Sequence, residues 1–509
     1  MFGFESLPKN GADYITLLLL YHHHHIIRKQ KMQETPQIDD KYIQNFEPLL
    51  LIKDDDPIPE KDAIIIPLDK RTSRTYGRNS IGELFPRKKK LPTTFLETLI
   101  HLVKGNLGGG AFAMGDAFKN AGLLLGPVLT VVLGVICIYS NHILVNCAEY
   151  IRAKKKLPAD PTFPETVELC FENGPLAFRR WTPLVRLSAK VFIVITQLGF
   201  CCVYFVFVSS TAQTILEKYN IEYDVRVYMA IMFFPVLLSC FIRTLKFLTP
   251  ISLLSNVCLI SGIVFTLYLS TDELPPVSSR RLFSTWDTLP LFFGTVIYSF
   301  EGISLVIPLK NEMKEQKNFS RPLGVLNIGM LVIMAILLTM GTLGYLKYGD
   351  SVLGSLSLNL PKENPFSMVV QIVVGIGIVF SYALQFYVAA DLLWEELQGA
   401  CGPFKHPVFM ELLLRACMVL LTFVLAAVVP NIGLFISLVG AVSSTALALL
   451  YPALCDIALR TCPEAEGRLK TKDELFRYIM DGITLLVALF GFTFGAYCSV
   501  SSIVKEFFH

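Results

Sequence analysis

The chain has 509 residues, 53% of them hydrophobic and only 17% charged, with a mean hydropathy of +0.53. This composition excludes an ordinary soluble domain and describes a polytopic membrane protein. A formal net charge of +3, with basic residues scattered between apolar stretches, excludes a nucleic-acid-binding surface.

Residues 1–90 form a polar tail, acidic at 54–56, basic at 87–90 and punctuated by prolines. Such a segment has too little apolar surface to bury a core, so a disordered cytoplasmic tail is expected, and it is where signalling partners would attach. The apolar run at 15–20 is too short and badly flanked for a signal peptide. The histidine run at 22–25 reads as incidental rather than as a metal site. Glu47, Leu51 and Ile52 match an acidic dileucine sorting pattern that would direct the protein to endosomes or lysosomes.

Residues 91–509 form the membrane domain, with about eleven apolar segments of spanning length. They lie at 96–118, 123–147, 190–216, 227–242, 250–269, 288–308, 322–345, 366–391, 408–429, 431–455 and 480–504. An odd number puts the termini on opposite sides, and the distribution of Lys and Arg places the N-terminus in the cytoplasm and the C-terminus outside or in a lumen. The sequon at Asn318 then falls on the inner side, where it is unused. All 12 cysteines fall in helices or inner loops, so no external disulfide is expected. The longest inner connection, 148–189, reads as a solvated basic loop beside lipid.

The first segment reads LETLIHLVKGNLGGGAFAMGDAFKNAG. Each of Gly105, Gly108, Gly109 and Gly110 costs a helix interior about 1 kcal/mol relative to alanine. Backbone groups freed at membrane depth must be satisfied by protein, ligand or water. A broken helix follows, whose second half starts near Gly109 and points free N–H groups at an anion, while the last carbonyls of the first half attract a cation. A zwitterion presents both charges. Glu97, His101, Lys104 and Gly108 share one helical face, which is expected to look inward. The glycines alone also suit close packing against a neighbouring helix, and both uses stay open on them.

The sixth segment, PLFFGTVIYSFEGISLVIPLKNEMK, carries Glu301 near its middle beside Gly302, and a carboxyl there is a functional candidate. Interruptions in helices one and six are what an inverted repeat of two five-helix halves predicts, with the binding site between them.

The runs TLIHLVKGNLGGG and FKNAG in the first segment, GFCCVYFVF in the third and PLFFGTVIYSFEGI in the sixth resemble the proton-coupled amino acid transporter branch of the amino acid/auxin permease family. The likeness runs from about Pro92 to the end of the last segment. It implies an all-α LeuT-type fold of eleven helices in a five-plus-five inverted repeat, importing small neutral amino acids with protons. In some members it implies a link to growth signalling at the plasma membrane or lysosome. The family's proton-linked histidine matches His101, and its unwound segments match 105–110 and 298–302. Gly109, where the family commonly has Thr or Ser, and Gly115, where it commonly has Pro, depart from the pattern.

Of the eight histidines, only His101 and His142 lie in membrane segments. Imidazole titrates where an acidic exterior differs from cytosol, so His101, with Glu301 offsetting its charge, is the expected proton site. The expected substrate site has its carboxylate on the amides of Gly108, Gly109 and Gly110. Its ammonium meets carbonyls at Lys104, Gly105, Asn106, Tyr298, Ser299 and Phe300, and Tyr204 and Phe300 close it. Protons serve as the coupling ion, with no cofactor and no metal. A Na⁺-coupled carrier and an amino acid-sensing receptor that transports little are the alternatives. No metal-ligand cluster or nucleophile elbow points to an enzyme.

Overall fold

A computed structural model describes residues 92–243, 245–361, 363–461 and 472–508. The N-terminal tail with its histidine run and dileucine pattern, and Cys462, lie outside the described residues.

Among the described residues the regular elements are helical, with one isolated bridge between Thr93 and Met313. The helices are α1 (Phe95–Asn106), α2 (Gly109–Ala121), α3 (Leu125–Lys155), α4 (Phe163–Glu172), α5 (Thr182–Glu217), α6 (Val225–Cys240) and α7 (Leu245–Ser270). There follow α8 (Leu289–Ser299), α9 (Ile303–Glu312), α10 (Val325–Tyr348), α11 (Pro365–Cys401), α12 (Pro407–Val428), α13 (Ile432–Arg460) and α14 (Leu475–Glu506). Among the described residues 9 helices are long and apolar enough to cross a membrane, α8 and α9 counting together as one. The other two expected segments are the split pair α1–α2 and the shorter α6, which carries Pro235 in its interior.

Local chemistry sets the ends. Thr94 and Glu97 form a capping box that starts α1, with the Thr94 N–H donating to Glu97 Oε2 at 2.8 Å. Proline stands in the first turn of α5, α11 and α12, where its missing N–H costs nothing.

Burial ranks the helices. The apolar window of Leu289–Glu312 is 89% buried and that of Ile432–Arg460 83%, against 28% for Leu475–Glu506, so α8, α9 and α13 stand at the centre and α14 at the rim. α2 packs against α8 and α10, and α8 against the middle of α13. Small residues allow this approach: a Cβ on Gly344 would stand 3.1 Å from Gly115 Cα. The outward faces of α7 and α14 are lined with exposed Leu, Val, Ile, Phe and Tyr, the surface that lipid covers.

The segment 148–189 is not a solvated loop. α3 continues to Lys155, and α4 docks Phe163, Val167 and Cys170 onto Leu144 and Cys147 of α3 and Tyr451 and Cys455 of α13. Its sequence FPETVELCFE has helical apolar spacing behind a Thr162–Glu165 capping box, a signal that the flanking basic runs obscure.

Candidate functional site

The two interrupted helices lie side by side and run in opposite directions. At one end the Thr93 N–H donates to the Glu312 carbonyl at 2.9 Å, and the Lys314 N–H to the Thr93 carbonyl at 2.9 Å. At the other, the Leu123 N–H donates to the Arg281 carbonyl at 2.9 Å, and the Ser284 N–H to the Ala121 carbonyl at 3.0 Å. Pinned at both ends, the breaks at 107–108 and 300–302 meet halfway along. A Cβ on Gly302 would lie 2.4 Å from Asn106 Oδ1, and one on Gly110 would lie 2.9 Å from Ser299 Cα, so this crossing needs glycine at both positions.

Gly108 precedes α2 without any side-chain cap, leaving the amides of Gly109 and Gly110 as first-turn donors. Tyr204 on α5 covers them: a Cβ on Gly108 would meet its hydroxyl at 3.4 Å, and one on Gly109 its ring at 3.7 Å. The Gln385 side chain of α11 faces that hydroxyl. Tyr298 packs edge-on against Phe200 with ring centroids 4.8 Å apart, and its own hydroxyl is buried without a hydrogen-bond partner. Asn106 donates through Nδ2 to the Leu102 carbonyl at 2.9 Å, while its Oδ1 is buried and unpaired.

The acceptor side is tighter than a simple break would leave it. The Tyr298 carbonyl accepts the Glu301 N–H at 3.2 Å, and the Ser299 hydroxyl donates to the Thr295 carbonyl at 2.8 Å. Phe300 is fully buried and points toward α3, filling the gap left by Gly134, whose Cβ would stand 3.0 Å from its ring.

Glu301 is 6% exposed, and its Oε2 makes no hydrogen bond. Ser444 of α13 and Cys137 of α3 face the carboxyl. Ser444 sits in one of two π-helical turns, Gly440–Ser444 and Ala446–Leu450, a local widening that recurs at functional sites. An isolated buried carboxylate is strongly disfavoured, so this group calls for a proton or a cation.

The expected inward face of α1 is not inward. Glu97 and His101 are exposed, Lys104 and Gly108 half-buried, and the buried stripe is Thr98, Leu102 and Asn106. Leu102 claims the interior because it seats against Gly329 of α10, where a Cβ would lie 2.7 Å from it. His101 and Glu301 therefore stand in different settings, one exposed and one buried. Gly105 lies under Leu305 of α9. His142 bonds Asn327 of α10, Nε2 to Oδ1, at 2.8 Å. The structure thus gathers Asn106, Gly108, Gly109, Gly110, Tyr204, Tyr298, Ser299 and Glu301 around the crossing. It adds Phe200, Gln385 and Ser444, which carry no local break in the sequence; only the small-residue run around Gly440 marks the last.

Two helix breaks and a buried carboxyl meeting inside an apolar bundle form the arrangement of a membrane carrier. Comparison with known proteins agrees. The family model described as transmembrane amino acid transporter protein matches residues 92–497, and the chain belongs to that family; it is a transporter and not an enzyme. It is similar to the Drosophila melanogaster proton-coupled amino acid transporter-like protein pathetic, 31% identical over 446 residues, 87% of this chain and 92% of that one. It is also similar to the Caenorhabditis elegans probable amino acid transporter skat-1, 23% identical over 424 residues, 80% of this chain and 90% of that one. Among solved structures, MhsT in complex with L-phenylalanine aligns over 77% of this chain and 98% of its own at 12% identity, with a TM-score of 0.43.

Proposed function

We propose that this chain carries small neutral amino acids together with protons across the plasma or lysosomal membrane, with its tail on the cytoplasmic side serving nutrient signalling. The observation that carries the reading is Glu301: a buried carboxyl with an unpaired oxygen, one residue from the crossing of the two breaks. An isolated charge is costly to bury there, so this carboxyl serves as the carrier of the coupling proton, and proton loading and substrate loading share one site. A substrate carboxylate rests on the Gly109 and Gly110 amides, and its ammonium meets the last carbonyls of α1 and Asn106 Oδ1. Tyr204, Tyr298 and Phe200 crowd the space for a side chain, which favours small substrates. His101, exposed on α1, hands protons between solution and the buried carboxyl. Alternating exposure of the site follows from two five-helix halves moving about the paired breaks. The relative named as proton-coupled supports the choice of coupling ion.

The test is uptake of radiolabelled alanine, glycine and proline without Na⁺, at acidic and neutral external pH, in cells displaying the protein on their surface. Wild type is expected to show acid-stimulated uptake, Glu301→Gln to lose the stimulation, and His101→Ala to shift it. Acid stimulation intact in Glu301→Gln would overturn the proton assignment, and an absolute Na⁺ requirement would replace the coupling ion. Binding without uptake would make the protein a receptor.

A further inference from the structure

A second group of ionisable side chains lies away from the helix breaks, where α3, α13 and α14 meet. Asp481 of α14 is fully buried, and the Asp456 carboxyl of α13 faces it. Arg460, one turn along from Asp456, grips the Asp456 carboxylate through two nitrogens. Its Nη1 stands 3.9 Å from Asp481 Oδ2, too far for a hydrogen bond, and both atoms are buried without a hydrogen-bond partner. Asp481 Oδ1 accepts from the Tyr139 hydroxyl of α3 at 2.9 Å.

Among the described residues the remaining neighbours are few. Tyr478 lies under the Arg460 guanidinium at 5.5 Å, Cys147 of α3 faces Asp456 and Arg460, and Arg477, which acts on Asp456, is exposed. Among the described residues the enclosed balance is therefore two carboxyls against one guanidinium. Two carboxyls in contact cannot both ionise at ordinary cost, and the surplus charge is removed by one proton held between them. Asp481 Oδ2, buried, unpaired and aimed into the cluster, is the free position for it.

We propose that Asp456 and Asp481 share one proton, forming a proton-binding site separate from Glu301 that closes the seam between α14 and the rest of the bundle. The site stands on its own geometry whatever ion the central site uses.

Infrared difference spectroscopy on the purified full chain, stepped from mildly acidic to alkaline pH, reads the protonated carboxyl C=O stretch directly. Wild type is expected to show a band that is lost as pH rises, absent in Asp481→Asn and retained in Glu301→Gln. If Asp481→Asn does not fold, Tyr139→Phe decides: removing the donor to Oδ1 should shift the band. A band unmoved by Tyr139→Phe, one that survives Asp481→Asn, or one lost only in Glu301→Gln would overturn the proposal.

Discussion

Gly109 and Gly110 are neighbours in sequence, yet the structure predicts opposite responses to one methyl group. A Cβ on Gly110 would lie 2.9 Å from Ser299 Cα, which is backbone and cannot turn aside, whereas a Cβ on Gly109 meets only Tyr204 and Val203 carbons at 3.7 Å, an ordinary contact. Gly110→Ala should force the breaks apart, cost about 1–3 kcal/mol as overpacking does, and abolish uptake. Gly109→Ala should fold with wild-type stability; thermal unfolding in detergent and uptake at matched surface expression check both. At this scale the sequence told part of the story. Glycines beside a buried carboxyl marked the crossing, because both are costly in a membrane helix. A shared helical face told which residues lie together and not which way they look. Leu102 took the interior and left His101 exposed, since the partner surface at Gly329 lies some two hundred positions along the chain.

Lys310 shows the same limit among elements. It ends the sixth segment, where a lysine ordinarily reaches for water, yet it is 1% exposed and paired with Asp160 and, at 2.6 Å, with Glu149. Asn311 donates through Nδ2 to the Asp160 carbonyl at 2.9 Å, and Arg152 reaches Asp160 Oδ1 at 3.2 Å, so α9 is bolted to α3 and to the segment before α4. The places of the spanning helices were legible from the apolar runs, though not their caps or full lengths, and the two breaks fell where the glycines put them. A charge pair joining two distant segments leaves no periodic trace. Lys310→Met should leave the buried Asp160 with only the partly exposed Arg152 as its cation and should cost stability toward the lower end of the about 3–5 kcal/mol that breaking a buried pair from one side takes. Adding Asp160→Asn should recover part of the loss, because the uncompensated charge goes with it. Thermal unfolding of the two single variants and the double variant measures the coupling.

Across the whole molecule, the halves of the first broken helix are held very differently. α2 is enclosed by α3, α5, α8, α10 and α13, and nearly every residue in it is buried. α1 packs on α10 and α9 and shows Phe95, Leu96, Glu97, Ile100 and His101 to the outside. Its entry is fixed by the Thr93 bridge to Met313 just after α9. A carrier must expose its site to each side in turn, and the piece that yields is the one with least to lose. On this packing α1 is the piece expected to swing, about the residues at 107–108, as the halves move, while α2 stays with the bundle. A short thiol cross-linker between Thr93→Cys and Met313→Cys tests this, with the exposed Cys401 and Cys417 replaced by serine to remove competing thiols. Cross-linking should stop turnover while substrate binding persists, and cleaving the link should restore uptake. Turnover undisturbed by the link would mean that α1 and α9 travel as one body and that the opening lies between that body and α10.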